Sequence, residues 1–150
     1  MQHLALFEQY GVPALEIHEA DVPEEMRGDF IVEKTTDKGV RFTLVLKAFR
    51  HPVGTLWLDG DVLVGGKRYR CVKFMGINAP HRKRGLSYLL YKTALRHLDG
   101  YAGIASSASE WVNKKAIGSI YRKLGAATVL QPDEDGVVTT YKLLPTTPAG

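Results

Sequence analysis

The sequence predicts an α+β domain: a mixed, mostly antiparallel sheet of about six to seven strands, flanked by helices. Three observations carry this expectation. Residues 29 to 77 read as strands, with apolar and polar side chains alternating between turn residues. At Leu86 the spacing of apolar residues lengthens to the helical period. A small-residue strand, a second helix and a final hairpin then complete the chain.

Taken in order, a helix is expected near Leu4 to Tyr10. A short one follows over Asp21-Val22-Pro23-Glu24-Glu25-Met26, where an Asp cap, an early proline and acidic first-turn residues coincide. The stretch "DFIVEKTT" opens the sheet, turns at Asp37-Lys38-Gly39 and continues as "VRFTLVLKAF", with Phe42, Leu44, Leu46 and Ala48 on one face. His51-Pro52 breaks that run. "VGTLWL" is the next strand, turns are expected at Asp59-Gly60 and Gly65-Gly66, and "KRYRCVKFMGI" closes an antiparallel meander. The first long helix shows a stripe of Leu86, Leu89/Leu90, Thr93/Ala94 and His97/Leu98, with Gly100 as its stop. "YAGIASSA" reads as a strand. Asn113 caps a second helix with Ala116/Ile117, Ile120/Tyr121 and Leu124 inward, ended by Gly125. "AATVLQ" and "VVTTYKLL" form the last hairpin, and the tail from residue 145 is expected to be loose.

With 150 residues, 45% of them hydrophobic, the chain is large enough to bury one core, so residues 1 to 150 are expected to be a single domain, least defined over 1 to 28. A single cysteine, Cys71, excludes an internal disulfide framework and a Cys-rich zinc site, and fits a reducing cytoplasm. No metal is expected. No window approaches the roughly 18 apolar residues of a membrane span. The net charge of +4 is unevenly placed: residues 62 to 96 carry 9 Lys/Arg and no Asp/Glu, whereas residues 1 to 61 carry 6 against 11. A solvated basic face is one reading of that segment, and an anion site is the other.

The run Asn78-Ala79-Pro80-His81-Arg82-Lys83-Arg84-Gly85-Leu86-Ser87 lies between a strand and a helix. The first turn of a helix offers unpaired N–H groups and a positive dipole end, which suit phosphate. Gly85 keeps side-chain bulk from the backbone there, and three cations can add charge-assisted bonds. Nucleic acid would use the same charges but needs no glycine at a helix start. The context therefore favours a nucleotide-like ligand.

This run resembles the acetyl-CoA signature of the GNAT superfamily of N-acetyltransferases, [RQ]-x-x-G-x-[GA], with Arg82 and Gly85 on its defining positions and Ser87 where glycine or alanine is usual. A second stretch, Asn113-Lys114-Lys115-Ala116-Ile117-Gly118-Ser119-Ile120-Tyr121-Arg122-Lys123-Leu124-Gly125, is similar to the family's N-x-x-A-x-x-x-Y-x-K-x-G-F pattern, with Ala126 in the aromatic position. The likeness covers roughly residues 40 to 145. It implies acetyl-CoA as cosubstrate. The backbone of Met75, Gly76 and Ile77 would pair with the pantetheine arm. The N–H groups from Arg82 through Lys83, Arg84, Gly85 and Leu86 to Ser87 would take the pyrophosphate, and Asn113 would touch the arm. Gly76 is in addition a natural bulge position, and a strand N–H there could polarise the acyl carbonyl.

Direct transfer also needs proton traffic, since an amine of pKa ~10.4 is only about 0.04% neutral at pH 7. By the resemblance, Tyr121 is the general acid; by its place on the helix stripe alone it is a core aromatic. Glu110 is the carboxylate nearest in sequence for the base, though a solvated Glu is the commoner case. Cys71 reads as a small buried hydrophobe, and His81 as a polar loop residue. The acceptor is left open among small-molecule, protein and RNA amines, on a monomer or homodimer. The competing reading is a basic nucleic-acid-binding or nucleic-acid-modifying protein on the same fold.

Overall fold

The computed structural model describes residues 14–15, 17–82, 84–107, 114–132 and 135–146. Among the described residues eight strands form one sheet: β1 (Ala14–Leu15), β2 (Phe30–Thr35), β3 (Val40–Leu46), β4 (His51–Val64), β5 (Lys67–Ile77), β6 (Gly103–Ser107), β7 (Ala127–Pro132) and β8 (Val138–Pro145). Their order is β1-β2-β3-β4-β5-β6-β8-β7. Two helices of the described residues accompany them, α1 (Leu86–Arg96) and α2 (Lys114–Lys123). The expected mixed architecture is thus present, with the two-residue β1 raising the strand count to eight. The pairing of β5 with β6 is parallel, while β1 with β2, β2 with β3, β6 with β8 and β7 with β8 are antiparallel.

The described residues fall into two compact units, one drawn from the chain up to Trp57 together with Phe74–Ala94, the other from Leu58–Lys73 and the chain from Leu95 onward. In the first unit, β2 and β3 pair in register from Phe30 opposite Leu46 to Thr35 opposite Arg41. Alternation buries Phe30, Val32, Val40, Phe42 and Leu44. The turn between them uses positive φ at Lys38 (54°) and Gly39 (89°). The Trp57 indole N–H donates to the Lys38 carbonyl at 2.8 Å, and the Arg41 guanidinium lies 4.6 Å from the Trp57 ring. Leu86, Leu89, Leu90, Thr93 and Ala94 of α1 are buried, as the apolar stripe requires.

In the second unit Val62, Ala105, Tyr141 and Leu143 form a core against which Val64, Tyr69, Cys71 and Val129 pack. The hairpin β7–β8 pairs from Ala127 opposite Leu143 to Pro132 opposite Val138. A Cβ on Gly103 would collide with the carbonyl oxygen of Leu144, so β6 and β8 meet backbone to backbone at that glycine.

Four local expectations are corrected. Residues 21 to 26 do not form one helix. Two 3₁₀ turns, Glu19–Asp21 and Glu24–Met26, flank Pro23, because a proline holds the residue before it extended, and Val22 has φ −94° and ψ 135°. Asp59-Gly60 is no hairpin turn: β4 runs through it, with Gly60 at φ 80° and its N–H on Asp59 Oδ1 at 3.0 Å. Ala48 leaves the alternating face, since β3 ends at Leu46 and a 3₁₀ turn takes Lys47–Phe49. His51-Pro52 begins β4 rather than separating strands; the break is Arg50, at φ 49°. The helix expected over Leu4 to Tyr10 lies outside the described residues.

Candidate functional site

The end of β5 and the approach to α1 belong to the first unit and are fixed by a set of short bonds. The Asn78 amide donates to the Val53 carbonyl at 2.8 Å, and Asn78 Nδ2 donates to the Pro52 carbonyl at 2.9 Å. The chain leaving β5 is thereby pinned to the start of β4. A 3₁₀ turn, Ala79–His81, follows with Pro80 inside it. Arg82 Nε then reaches back to the carbonyl of Ile77 at 2.8 Å, while the rest of the residue stays exposed.

Gly85 adopts φ 76° and hands its carbonyl to the Leu89 N–H at 3.3 Å, which makes it the cap of α1. Space is not the constraint there: the nearest neighbour a Cβ would meet is Pro23 Cγ at 3.9 Å. Backbone conformation demands the glycine, because a left-handed φ is unfavourable for other residues. Since Leu89 is the donor of that bond, the N–H groups of Leu86 and Ser87 precede any intrahelical acceptor. No acidic residue stands in this first turn, and Arg84 is exposed beside it.

The expected donor set needs one adjustment. The Arg82 amide donates to the Ala79 carbonyl at 3.3 Å within the 3₁₀ turn, so Arg82 can offer an anion its side chain but not its N–H. Leu86 contributes backbone alone, its side chain being buried. Ser87 is half-buried and Gly85 exposed. Lys83, Glu110 and Asn113 lie outside the described residues.

Met75 and Gly76 are half-buried, and Ile77 is buried. The parallel ladder that begins at Tyr69 opposite Gly103 ends at Cys71 opposite Ala105, although β5 continues to Ile77. Gly54 of β4 approaches this stretch closely: a Cβ there would overlap Ile77 Cδ1 and stand 3.2 Å from the Gly76 carbonyl oxygen. Gly54 and Asn78 are the positions that shape this strand end without having been signalled as site residues. The glycine of "VGTLWL" and the Asn after the last strand residue were the available cues.

In the second unit, Tyr121 is 1% exposed and lies on the inward face of α2, and its carbonyl accepts the Ala126 N–H at 3.0 Å. Arg68 and Arg70 both face Asp61, at 3.7 and 3.2 Å, and each guanidinium lies 4.9 Å from the Tyr101 ring. Part of the basic middle segment is therefore committed to a carboxylate and an aromatic ring within the fold. Cys71 packs on the core of this unit. Half-buried His81, in the first unit, stands 6.2 Å from His51, ring to ring. Among the described residues no helix is long and apolar enough to cross a membrane.

No protein-family model matches the sequence, and no curated protein sequence matches it. Solved structures do share its fold. The ribosomal-protein-S18-alanine N-acetyltransferase from Escherichia coli is similar at 17% identity and a TM-score of 0.52, over 77% of this chain and 74% of that one. The histone acetyltransferase HPA2 and related acetyltransferase from Corynebacterium glutamicum aligns at 12% identity and 0.52, over 75% and 67%. An acetyltransferase from Thermus thermophilus aligns at 20% identity and 0.50, over 70% of this chain but 62% of its own length, less than two thirds. At these identities the likeness concerns the fold.

Proposed function

We propose that this chain, whose fold is that of the GNAT superfamily of N-acetyltransferases, is an acetyl-CoA-dependent acyltransferase that delivers its acyl group to a primary amine, with residues 1 to 150 acting as one domain. One observation carries the reading. The end of β5 leads, through a turn bearing exposed Arg82 and Arg84, into a helix whose Leu86 and Ser87 N–H groups precede its first intrahelical bond. Such a run suits a long ligand with amides at one end and a diphosphate at the other.

Acetyl-CoA, when bound, supplies a thioester whose acyl carbon is open to an amine. The chain's own groups do the rest. The N–H groups of Gly85, Leu86 and Ser87, aided by the side chains of Arg82, Lys83 and Arg84, hold the diphosphate. The backbone of Met75 to Ile77, with Asn113, aligns the arm, and an N–H of that strand orients the carbonyl and stabilises charge on its oxygen. Glu110, directly or through water, receives the proton that the amine gives up as it forms the new C–N bond. The Tyr121 hydroxyl gives a proton to the sulfur as the C–S bond breaks. No cysteine relay is required.

Calorimetry and thermal shift with CoA and acetyl-CoA test the reading. Saturable binding with a rise in Tm is expected, and flat titrations at millimolar ligand would remove it. A turnover screen over amine classes then identifies the acceptor. The nucleic-acid alternative makes the opposite forecast, steeply salt-dependent binding of RNA or DNA without CoA binding. The engagement of Arg68 and Arg70 with Asp61 and Tyr101 favours the acyltransferase.

A further inference from the structure

Phe74 and Gly76 occupy one face of β5, Met75 and Ile77 the other, by strand alternation. The two faces differ. Ile77 is buried, and its Cδ1 fills the space over Gly54, itself buried. Phe74 is 54% exposed, and its ring leans along the strand over Gly76: a Cβ at Gly76 would stand 2.7 Å from Phe74 Cζ and 3.1 Å from Cε2. Gly76 is absent from the positive-φ glycines, and what a Cβ there would meet is the Phe74 ring, the far end of a side chain that can turn aside. An apolar, solvent-exposed ring thus lies over the glycine between Met75 and Ile77.

Resting on the acyltransferase reading, we infer that Phe74 is the acceptor-facing wall of the site, and that it selects amines whose carbon skeleton next to the nitrogen is apolar. A carbonyl held by a strand-edge N–H as a neighbouring strand would be held lies close to the plane of the sheet, with the donor near the plane of the C=O and its substituents. An amine adds to the carbonyl carbon from above or below that plane. On the Ile77 side the side chain of Ile77 is buried over Gly54, whereas Phe74 is exposed, so the amine approaches from the Phe74 side. An alkyl or arylalkyl amine arriving there covers the exposed ring and removes apolar area from water. An amino sugar would set hydroxyl groups against the ring without partners and gains less. The bond changes are those of direct transfer: C–N forms, C–S breaks, and the amine proton leaves to the base while the sulfur is protonated.

The test uses the full-length chain with acetyl-CoA, comparing phenethylamine and hexylamine with glucosamine, in the wild type, Phe74→Ala and Phe74→Trp. CoA calorimetry and Tm are run on each. Expected are preference for the two apolar amines and a rise of about tenfold in their KM in Phe74→Ala. The acetyl-CoA KM, CoA affinity and Tm should stay unchanged, with recovery in Phe74→Trp. Equal turnover of glucosamine, or an unmoved amine KM in a variant that still binds CoA, overturns the inference and leaves the acyltransferase reading standing. Absence of CoA binding in the wild type overturns both.

Discussion

Arg82 donates its Nε hydrogen to the carbonyl oxygen of Ile77 at 2.8 Å, so one guanidinium ties the turn before α1 to the last residue of β5. The bond aims the remaining guanidinium nitrogens from a fixed base, which a lysine cannot reproduce. Arg82→Ala should weaken CoA binding by about tenfold, or ~1.4 kcal/mol. Its cost to folding should be that of one partly exposed hydrogen bond, about 0.5–1.5 kcal/mol. Arg82→Lys should restore little of the affinity. Calorimetry with CoA beside urea unfolding separates the two effects; equal CoA affinity in all three proteins would make Arg82 a structural tie only.

Gly85 illustrates a residue whose identity was foreseen for one reason and is required for another. A Cβ at this position has room, with Pro23 Cγ at 3.9 Å as its nearest neighbour, but φ is 76°. Gly85→Ala should destabilise the fold by about 1–2 kcal/mol through backbone strain. Gly85→Asn should cost less, because asparagine tolerates the left-handed region. Urea unfolding of both variants checks the order. Indistinguishable midpoints for Ala, Asn and Gly would show that the cap relaxes freely.

Much of this fold was legible because its long elements obey one period each. The stripe of Leu86, Leu89, Leu90 and Ala94 and the alternation of Phe30, Val32, Phe42 and Leu44 are buried where the pattern places them. The failures share a cause: turn-forming residues were read locally. Asp59-Gly60 has the chemistry of a hairpin, yet β4 carries Gly60 through at φ 80° because its neighbours continue the sheet. Pro23 splits the expected short helix by a rule acting on Val22. At the candidate site the sequence marks Arg82 and Gly85 through spacing. It offers glycines at positions 54 and 76 but not their partners, because the approach of Gly54 to Ile77 exists only once β4 and β5 lie side by side, and that of Phe74 to Gly76 only once the ring's rotamer is set.

Gly103 offers the sharpest stability forecast. Its missing side chain lets Leu144 bring a carbonyl oxygen, a carbonyl carbon and the next Cα into the space a Cβ would take. These are backbone atoms of a paired strand and cannot rotate away, so Gly103→Ala should cost about 3 kcal/mol, the upper part of the range for overpacking. Soluble yield and the urea midpoint report it. A loss below about 1 kcal/mol would mean that β6 and β8 separate more easily than their register suggests.

Tyr121 is both a core residue, 1% exposed, and the proposed donor of a proton to the departing sulfur. Tyr121→Phe distinguishes these roles, since it keeps the ring volume and removes only the hydroxyl. If the hydroxyl protonates the thiolate, kcat should fall by at least about tenfold while the KM for acetyl-CoA and CoA affinity hold. Solvent-exposed thiols of lower pKa leave without an acid, so an activated acyl-thioester with an acidic aryl thiol should be much less affected by the substitution. A variant with unchanged kcat on acetyl-CoA removes the hydroxyl from the mechanism and leaves the ring as packing. A fall in kcat that is the same for both leaving groups removes it as acid and points to a loss of positioning.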